Sequence, residues 1–291
     1  MAYKCCGKSI KLCGTILACG NRKNSAKRAV LALSFIKKTG NYSGGVHSEH
    51  EGSGLSMQAR AAKAICVGNI KGGVGKSTLA MYVADFLRNR YRRRDIMLLD
   101  TDPQGTSYEL LEPLTGPGTV KHLPVGDRYD GVNMSTLDGV LRRNLSDNKS
   151  LTIIDTSAGK LGQFYQMVML CDTLLVPTSM SWTDLRPTID FIHEVDERKD
   201  ERDSITPHVV VVPNRVSPHQ RNFSQISNAL EDVNAIMAPP ISDLSAGRPQ
   251  NGEFSGIKGV EGTRFHEEIE RLGQFIVEYV ISGELDRIYA R

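Results

Sequence analysis

"AICVGNIKGGVGKSTLAMY", residues 64–82, decides how the rest of the chain is read. It begins as a short apolar run rich in β-branched residues, breaks into glycines, and continues with Leu79, Tyr82, Val83, Phe86 and Leu87 at helical spacing. The order is strand, loop, helix. Gly72, Gly73 and Gly75 let the backbone turn and let a ligand approach closely. Lys76, Ser77 and Thr78 then open the helix, whose N-terminus carries about half a positive charge. The usual G-x-x-x-x-G-K-[ST] pattern, counted back from Lys76, would want a glycine where Ile70 stands. What remains is K-G-G-V-G-K-S-T, in which Gly72, Gly73, Val74 and Gly75 form a phosphate-binding loop flanked by two lysines. Lys76 is placed to reach the β and γ oxygens of a nucleotide, and the Ser77 hydroxyl to bind Mg2+. Lys71 needs a negative charge of its own.

Outward from this loop the pattern repeats. "DIMLLD" (95–100), "LTIID" (151–155), "DTLLVPT" (172–178) and "HVVVVPN" (208–214) are apolar runs bounded by turn residues, most of them separated by polar helical segments. Runs that are apolar on both faces imply strands covered on both sides. The expected fold is therefore α/β, a P-loop NTPase-like, mostly parallel twisted sheet with helices on both faces. Chemistry gathers at the carboxyl ends of such strands, and Asp100, Asp155 and Asn214 stand there. Asp100 and Asp102 lie two apart, a spacing that in an extended chain points both carboxylates to one side, as a shared metal and water site needs.

The 291 residues suffice for one large domain or a domain with an appendage, and the composition is that of an ordinary globular protein. No apolar run approaches the roughly 20 residues of a membrane span. The net charge of +3 is unevenly spread: residues 1–63 hold eleven Lys or Arg against Glu49 and Glu51, leaving residues 64–291 at −6. Residues 1–62 are accordingly read as a basic, Cys-containing, loosely ordered N-terminal extension, and 63–291 as the catalytic domain. The extension carries Cys5, Cys6, Cys13 and Cys19 without the paired C-x-x-C spacing of a zinc site. Ile16 to Cys19 hint at a lipoprotein signal, but Lys11 interrupts its apolar stretch, and export would strand a nucleotide-dependent protein away from ATP. Two accounts are left open: a basic arm that contacts DNA through counterion release, and an unstructured segment or even an over-long reading of the gene with Met57 as the start.

"KGGVGKST" resembles the deviant Walker A motif of the ParA/MinD superfamily, and "LLDTDPQGTS" (98–107) resembles a second signature of its ParA-type partition branch. "LTIIDTSAG" is similar to the family's Walker B and switch region, and "VVVVPNRV" to its adenine-contacting strand end. The likeness spans roughly residues 64–285. It implies a slow, partner-stimulated ATPase that forms a homodimer around two ATP molecules, with Lys71 crossing to the phosphates held by the other subunit. It further implies that Asp155 and Asp100 serve the Mg2+ shell with Ser77, that Asp102 positions the attacking water, and that Asn214 reads the adenine edge. A GTPase would place N-K-x-D there, and Asn214 to Ser217 lack the Asp. The stretch "APPISDLSAGRPQNGEF" departs from the family pattern, with Arg248 as a displaced substitute for its usual arginine. Cys66 and Cys171 fall in or beside strands and are read as core thiols rather than cluster ligands.

By this resemblance the chain is a plasmid- or chromosome-partition hydrolase, cytoplasmic and nucleoid-associated. Its dimer would coat non-specific DNA, and a ParB-like centromere-binding protein would stimulate hydrolysis. DNA-contact candidates are Arg92, Arg93 and Arg94, then Arg215, Arg221, Arg264 and Arg271; a solvated helix end explains the first three equally well. The alternative is a MinD-like or other cargo-positioning ATPase acting at a membrane or protein surface. Phe265, Ile269, Leu272, Ile276 and Val280 do form a helical stripe near the C-terminus, but its Glu-rich polar face would be repelled by anionic lipid, so packing onto the sheet is expected. A purely regulatory protein is disfavoured because Lys76, Ser77, Asp100, Asp102 and Asp155 are all present.

Overall fold

The computed structural model describes residues 64–91, 95–123, 134–146, 150–158, 161–220, 222–243, 245–249 and 252–289. Seven strands are β1 (Ala64–Val67), β2 (Asp95–Asp100), β3 (Val120–His122), β4 (Ser150–Asp155), β5 (Thr173–Thr178), β6 (His208–Pro213) and β7 (Ala235–Met237). They form one sheet in the order β3-β2-β4-β1-β5-β6-β7, and every pairing is parallel. Crossovers run through α1 (Lys76–Arg90), α2 (Thr106–Thr115), α3 (Met134–Ser146), α4 (Leu161–Val168), α5 (Trp182–Glu201) and α6 (Ser224–Ala229). The short α7 (Gly256–Gly259), then α8 (Arg264–Phe275), a π-helical turn (Ile276–Ile281) and α9 (Glu284–Tyr289) complete the described chain.

The apolar runs alternate between two cores, as the period of a strand demands. Ile65, Val67, Leu98, Ile153 and Val210 face the core built with α1, α2 and α8, whereas Cys66, Leu99, Ile154, Leu174 and Val211 face the one built with α3, α4 and α5. Both faces are therefore covered, which is what sustains an all-parallel sheet. The expected C-terminal stripe packs as anticipated: Phe265, Ile269, Leu272, Ile276 and Val280 are all buried in the first core. At the amino ends of the strands Asp286 on α9 meets His208 Nε2 at 2.6 Å, tying the last helix to the sheet. Cys66 and Cys171 are both buried free thiols, and Cys171 donates to the Met167 carbonyl. The Cys66 thiol beside it, together with burial, holds the Cys171 pKa above the usual thiol range.

Strands β2, β3 and β4 lie on one side of β1 and β5 to β7 on the other. The winding thus reverses at β1, whose carboxyl end is where sheets of this kind offer a crevice to ligands.

Candidate nucleotide-binding site

The loop between β1 and α1 leaves the sheet at that end. Gly75 stands immediately before the helix at φ 88, with no side chain capping the helix and no acidic residue in its first turn. The first N–H groups of α1 are therefore left for an outside acceptor. A Cβ at Gly75 would come within 2.5 Å of Asn214 Nδ2, so glycine is required there by both conformation and space. Asn214 follows β6 and donates to the Val74 carbonyl at 2.7 Å. Its neighbour Arg215, in the left-handed region at φ 54, donates through Nη1 to the Gly73 carbonyl. Two consecutive residues from across the sheet thus clamp two consecutive carbonyls of the loop.

The two lysines have different fates. Lys76 is buried and its ammonium donates to the Lys71 carbonyl at 3.2 Å. Burial pulls its pKa below the ordinary lysine value, while the nearby carboxylates of Asp155 and Asp102 work against the shift. Lys71 lies at the mouth of the loop with 41% of its side chain exposed, 3.4 Å from Asp184 in the first turn of α5. Its own N–H donates to Asn69 Oδ1, and the buried Asn69 amide reaches the Pro177 carbonyl and Thr188 Oγ1, which sets where the loop leaves β1. Neither Asn69 nor Asp184 was singled out by sequence. An acidic residue in the first turn of a helix is a visible signal, but nothing linear pairs Asp184 with Lys71.

Asp155 ends β4, fully buried, and neither carboxylate oxygen has a hydrogen-bond partner. Burial foremost, then the charge of Asp100, pushes its pKa up to about 7; the hydroxyls of Ser77 and Ser107 lie near enough to ease this without reaching hydrogen-bond geometry. A buried anion facing no donor is unfavourable by itself and suits a cation. Among the described residues no three His, Cys, Asp or Glu are grouped as a metal cage. The site fits a Mg2+ that takes its other ligands from the Ser77 hydroxyl, phosphate and water, the habit of that ion.

The expectation for Asp100 and Asp102 needs correction. The strand ends at Asp100 and the chain turns, so the two carboxylates do not share one side of an extended segment. Asp100 instead turns back, accepting the Asp102 N–H at Oδ1 (3.0 Å) and the Tyr108 N–H at Oδ2 (2.9 Å). Asp102 is partly exposed, with Oδ1 accepting from the Gln104 N–H at 2.9 Å. The turn still brings Asp100, Asp102 and Asp155 to one place, since the first two both raise the pKa of the third.

Of the arginines proposed to touch DNA, Arg92, Arg93, Arg94 and Arg221 lie outside the described residues. Arg215 is committed to the phosphate loop. Arg264 donates to Glu268 at 2.9 Å and to the Pro218 carbonyl at 2.8 Å, bracing the loop after β6. Arg271 is half-buried on α8. Arg248 pairs with Asp243 of its own loop at 2.6 Å.

A phosphate-binding loop at the winding reversal of an all-parallel sheet, with a buried strand-end aspartate behind it, defines a P-loop nucleotide-binding protein. The CobQ/CobB/MinD/ParA nucleotide binding domain matches residues 65–245. The chain belongs to that family. No curated protein matches the sequence significantly. Among solved structures it is similar to the cell division ATPase MinD of Pyrococcus furiosus (16% identity, TM-score 0.57, covering 74% of this chain and 98% of that one). It is also similar to a ParA family ATPase from Chlorobium tepidum (14%, TM-score 0.53, 74% and 98%). A third likeness is to the septum site-determining protein MinD of Pyrococcus horikoshii complexed with Mg-ADP (15%, TM-score 0.51, 79% and 99%). At such identities the likeness establishes the fold.

Proposed function

We propose that this chain is an ATP-driven dimerising switch of the DNA-partition type. Gly72 to Thr78 hold the triphosphate, Lys76 neutralises its β and γ oxygens, and Asn214 meets the base. Ser77 and Asp155 hold Mg2+, with Asp100 behind them, and Asp102 orients the attacking water. Such chemistry asks the protein for positioning and charge stabilisation, so slow turnover awaiting a partner suits this sparse set. The observation that carries the proposal is the contrast between the two lysines. Lys76 is buried and turned into the loop, whereas the Lys71 ammonium is partly exposed and, among the described residues, meets Asp184 alone. An exposed ion pair contributes about 0–1 kcal/mol, little enough to be exchanged for phosphates bound to a second copy.

The dimer so formed is proposed to bind non-specific duplex DNA, through Arg92 to Arg94 and the basic residues 1–62 acting as an appendage to the domain at 63–291. A ParB-like protein would trigger hydrolysis and release, which places the chain in the cytoplasm on the nucleoid. The MinD-like alternative, acting at a membrane or protein surface, would want an amphipathic helix with its apolar face free, whereas α8 spends its apolar face on the core. Light scattering with a non-hydrolysable ATP analogue tests the reading. The wild type is expected to dimerise, Lys71→Ala to bind nucleotide yet stay monomeric, and Lys76→Ala to lose binding; a dimer of normal affinity in Lys71→Ala removes the cross-subunit role. Liposome co-sedimentation that depends on ATP would favour the alternative.

A further inference from the structure

We infer that His122 is a positioning residue for the proposed hydrolysis, holding Asp102 in the place from which it can orient water. The inference rests on the ATPase reading above. His122 closes β3, directly across the sheet from Asp100 in register. Its Nε2 lies 2.8 Å from the Asp102 carbonyl oxygen. A carbonyl only accepts, so Nε2 carries the proton and donates. The same carbonyl accepts the Gly105 N–H at 3.0 Å.

These contacts form a closed circuit. Asp100 receives the N–H groups of Asp102 and Tyr108, the Tyr108 ring stacks on the His122 ring with centroids 5.8 Å apart, and His122 returns to Asp102. Gly105 completes the fit: at φ 67 it sits so close that a Cβ there would lie 3.1 Å from His122 Cε1. Both backbone polar atoms of Asp102 are thus held, and Oδ1 is held by Gln104. Oδ2 is the one oxygen with no hydrogen bond among the described residues, and the Asp102 carboxylate is near enough to Lys76 to act on its charge. A carboxylate fixed at one oxygen and open at the other, beside the phosphate-binding lysine, is arranged to aim a water. Without the His122 donor the Asp102 carbonyl keeps only the Gly105 N–H among the described residues, and the turn, still tied through Asp100 and Gln104, can rock about those bonds.

Two substitutions separate donation from packing. His122→Phe keeps an aromatic ring on Tyr108 and removes the donor, whereas His122→Gln carries an amide N–H near the position of Nε2. ATP turnover and peptide-level amide exchange over residues 101–108 are measured on the full chain. His122→Phe is expected to lower kcat about tenfold, the scale of a small misplacement of a reacting group, with KM for ATP within about twofold and with faster exchange of that segment. His122→Gln is expected to restore most of both. The inference is overturned if the Phe variant matches the wild type in exchange and turnover, or if both variants lose turnover with a matching rise in KM. A wild type that hydrolyses no ATP sinks the ATPase reading instead, and the exchange comparison then still decides whether His122 holds the turn.

Discussion

Asp155 sits in the interior with neither oxygen hydrogen-bonded, so its ionised form is unfavourable until a cation arrives. The sign of its effect on stability follows from its pKa of about 7, raised above the ordinary 3.8. The protonated form is favoured by folding, so stability is full below pH 4 and is lost as pH climbs through 7. Without nucleotide and Mg2+, Asp155→Asn is therefore expected to melt higher than the wild type at pH 8. A relief of about 2 kcal/mol would appear as roughly 4–8 °C. The two proteins should converge toward pH 4, and calorimetry across that range checks it; equal melting at pH 8 would mean that the charge is not a burden. Residue roles of this kind were only partly legible. Lys76, Ser77 and Asp155 are announced by local motifs, because a phosphate loop and a strand end are both short-range patterns. Arg215 and Arg264 stand in the sequence as DNA-contact candidates, and nothing linear reveals their partners, because Gly73 and Pro218 are distant in sequence and offer only backbone carbonyls.

Among elements, β1, β2, β4, β5 and β6 stand out in the sequence as unbroken apolar runs because they are buried on both faces. The outer strands β3 and β7 do not. Each spans three residues, too few to show a period, and each owes its place to pairing with a longer neighbour. The connection between α8 and the loop after β7 was equally invisible. Glu268, buried on α8, accepts the N–H and the hydroxyl of Ser242, each at 2.7 Å, and Arg264 besides. Glu268→Ala would leave these donors facing a void. A loss of about 2–3 kcal/mol is expected, read as a lower urea midpoint with an unchanged slope. Glu268→Gln keeps an acceptor and should cost clearly less. If the two variants unfold alike, the hydrogen bonds to Ser242 are not what joins the helix to the loop.

For the molecule as a whole, the proposed dimer has a built-in reporter. Trp182, the only tryptophan of the chain, opens α5 two residues before Asp184 and is 57% exposed. When a second copy covers the mouth of the loop, its emission should shift to the blue. The shift is expected with a non-hydrolysable ATP analogue in the wild type and not in Lys71→Ala; the same shift in both would detach it from dimerisation. If the proposed dimer binds duplex DNA through the basic residues 1–62 and Arg92 to Arg94, its affinity should fall steeply with added salt. Filter binding at two ionic strengths suffices, and a flat response would remove the phosphate contacts.

The brevity of β3 and β7 limits how copies of this protein can meet. A three-residue border offers few free backbone groups to a neighbouring chain, and native sheets use such stubs to discourage side-by-side growth. The proposed pairing of two copies is thereby left to the rim where the loops gather, and would be conditional on what those loops hold.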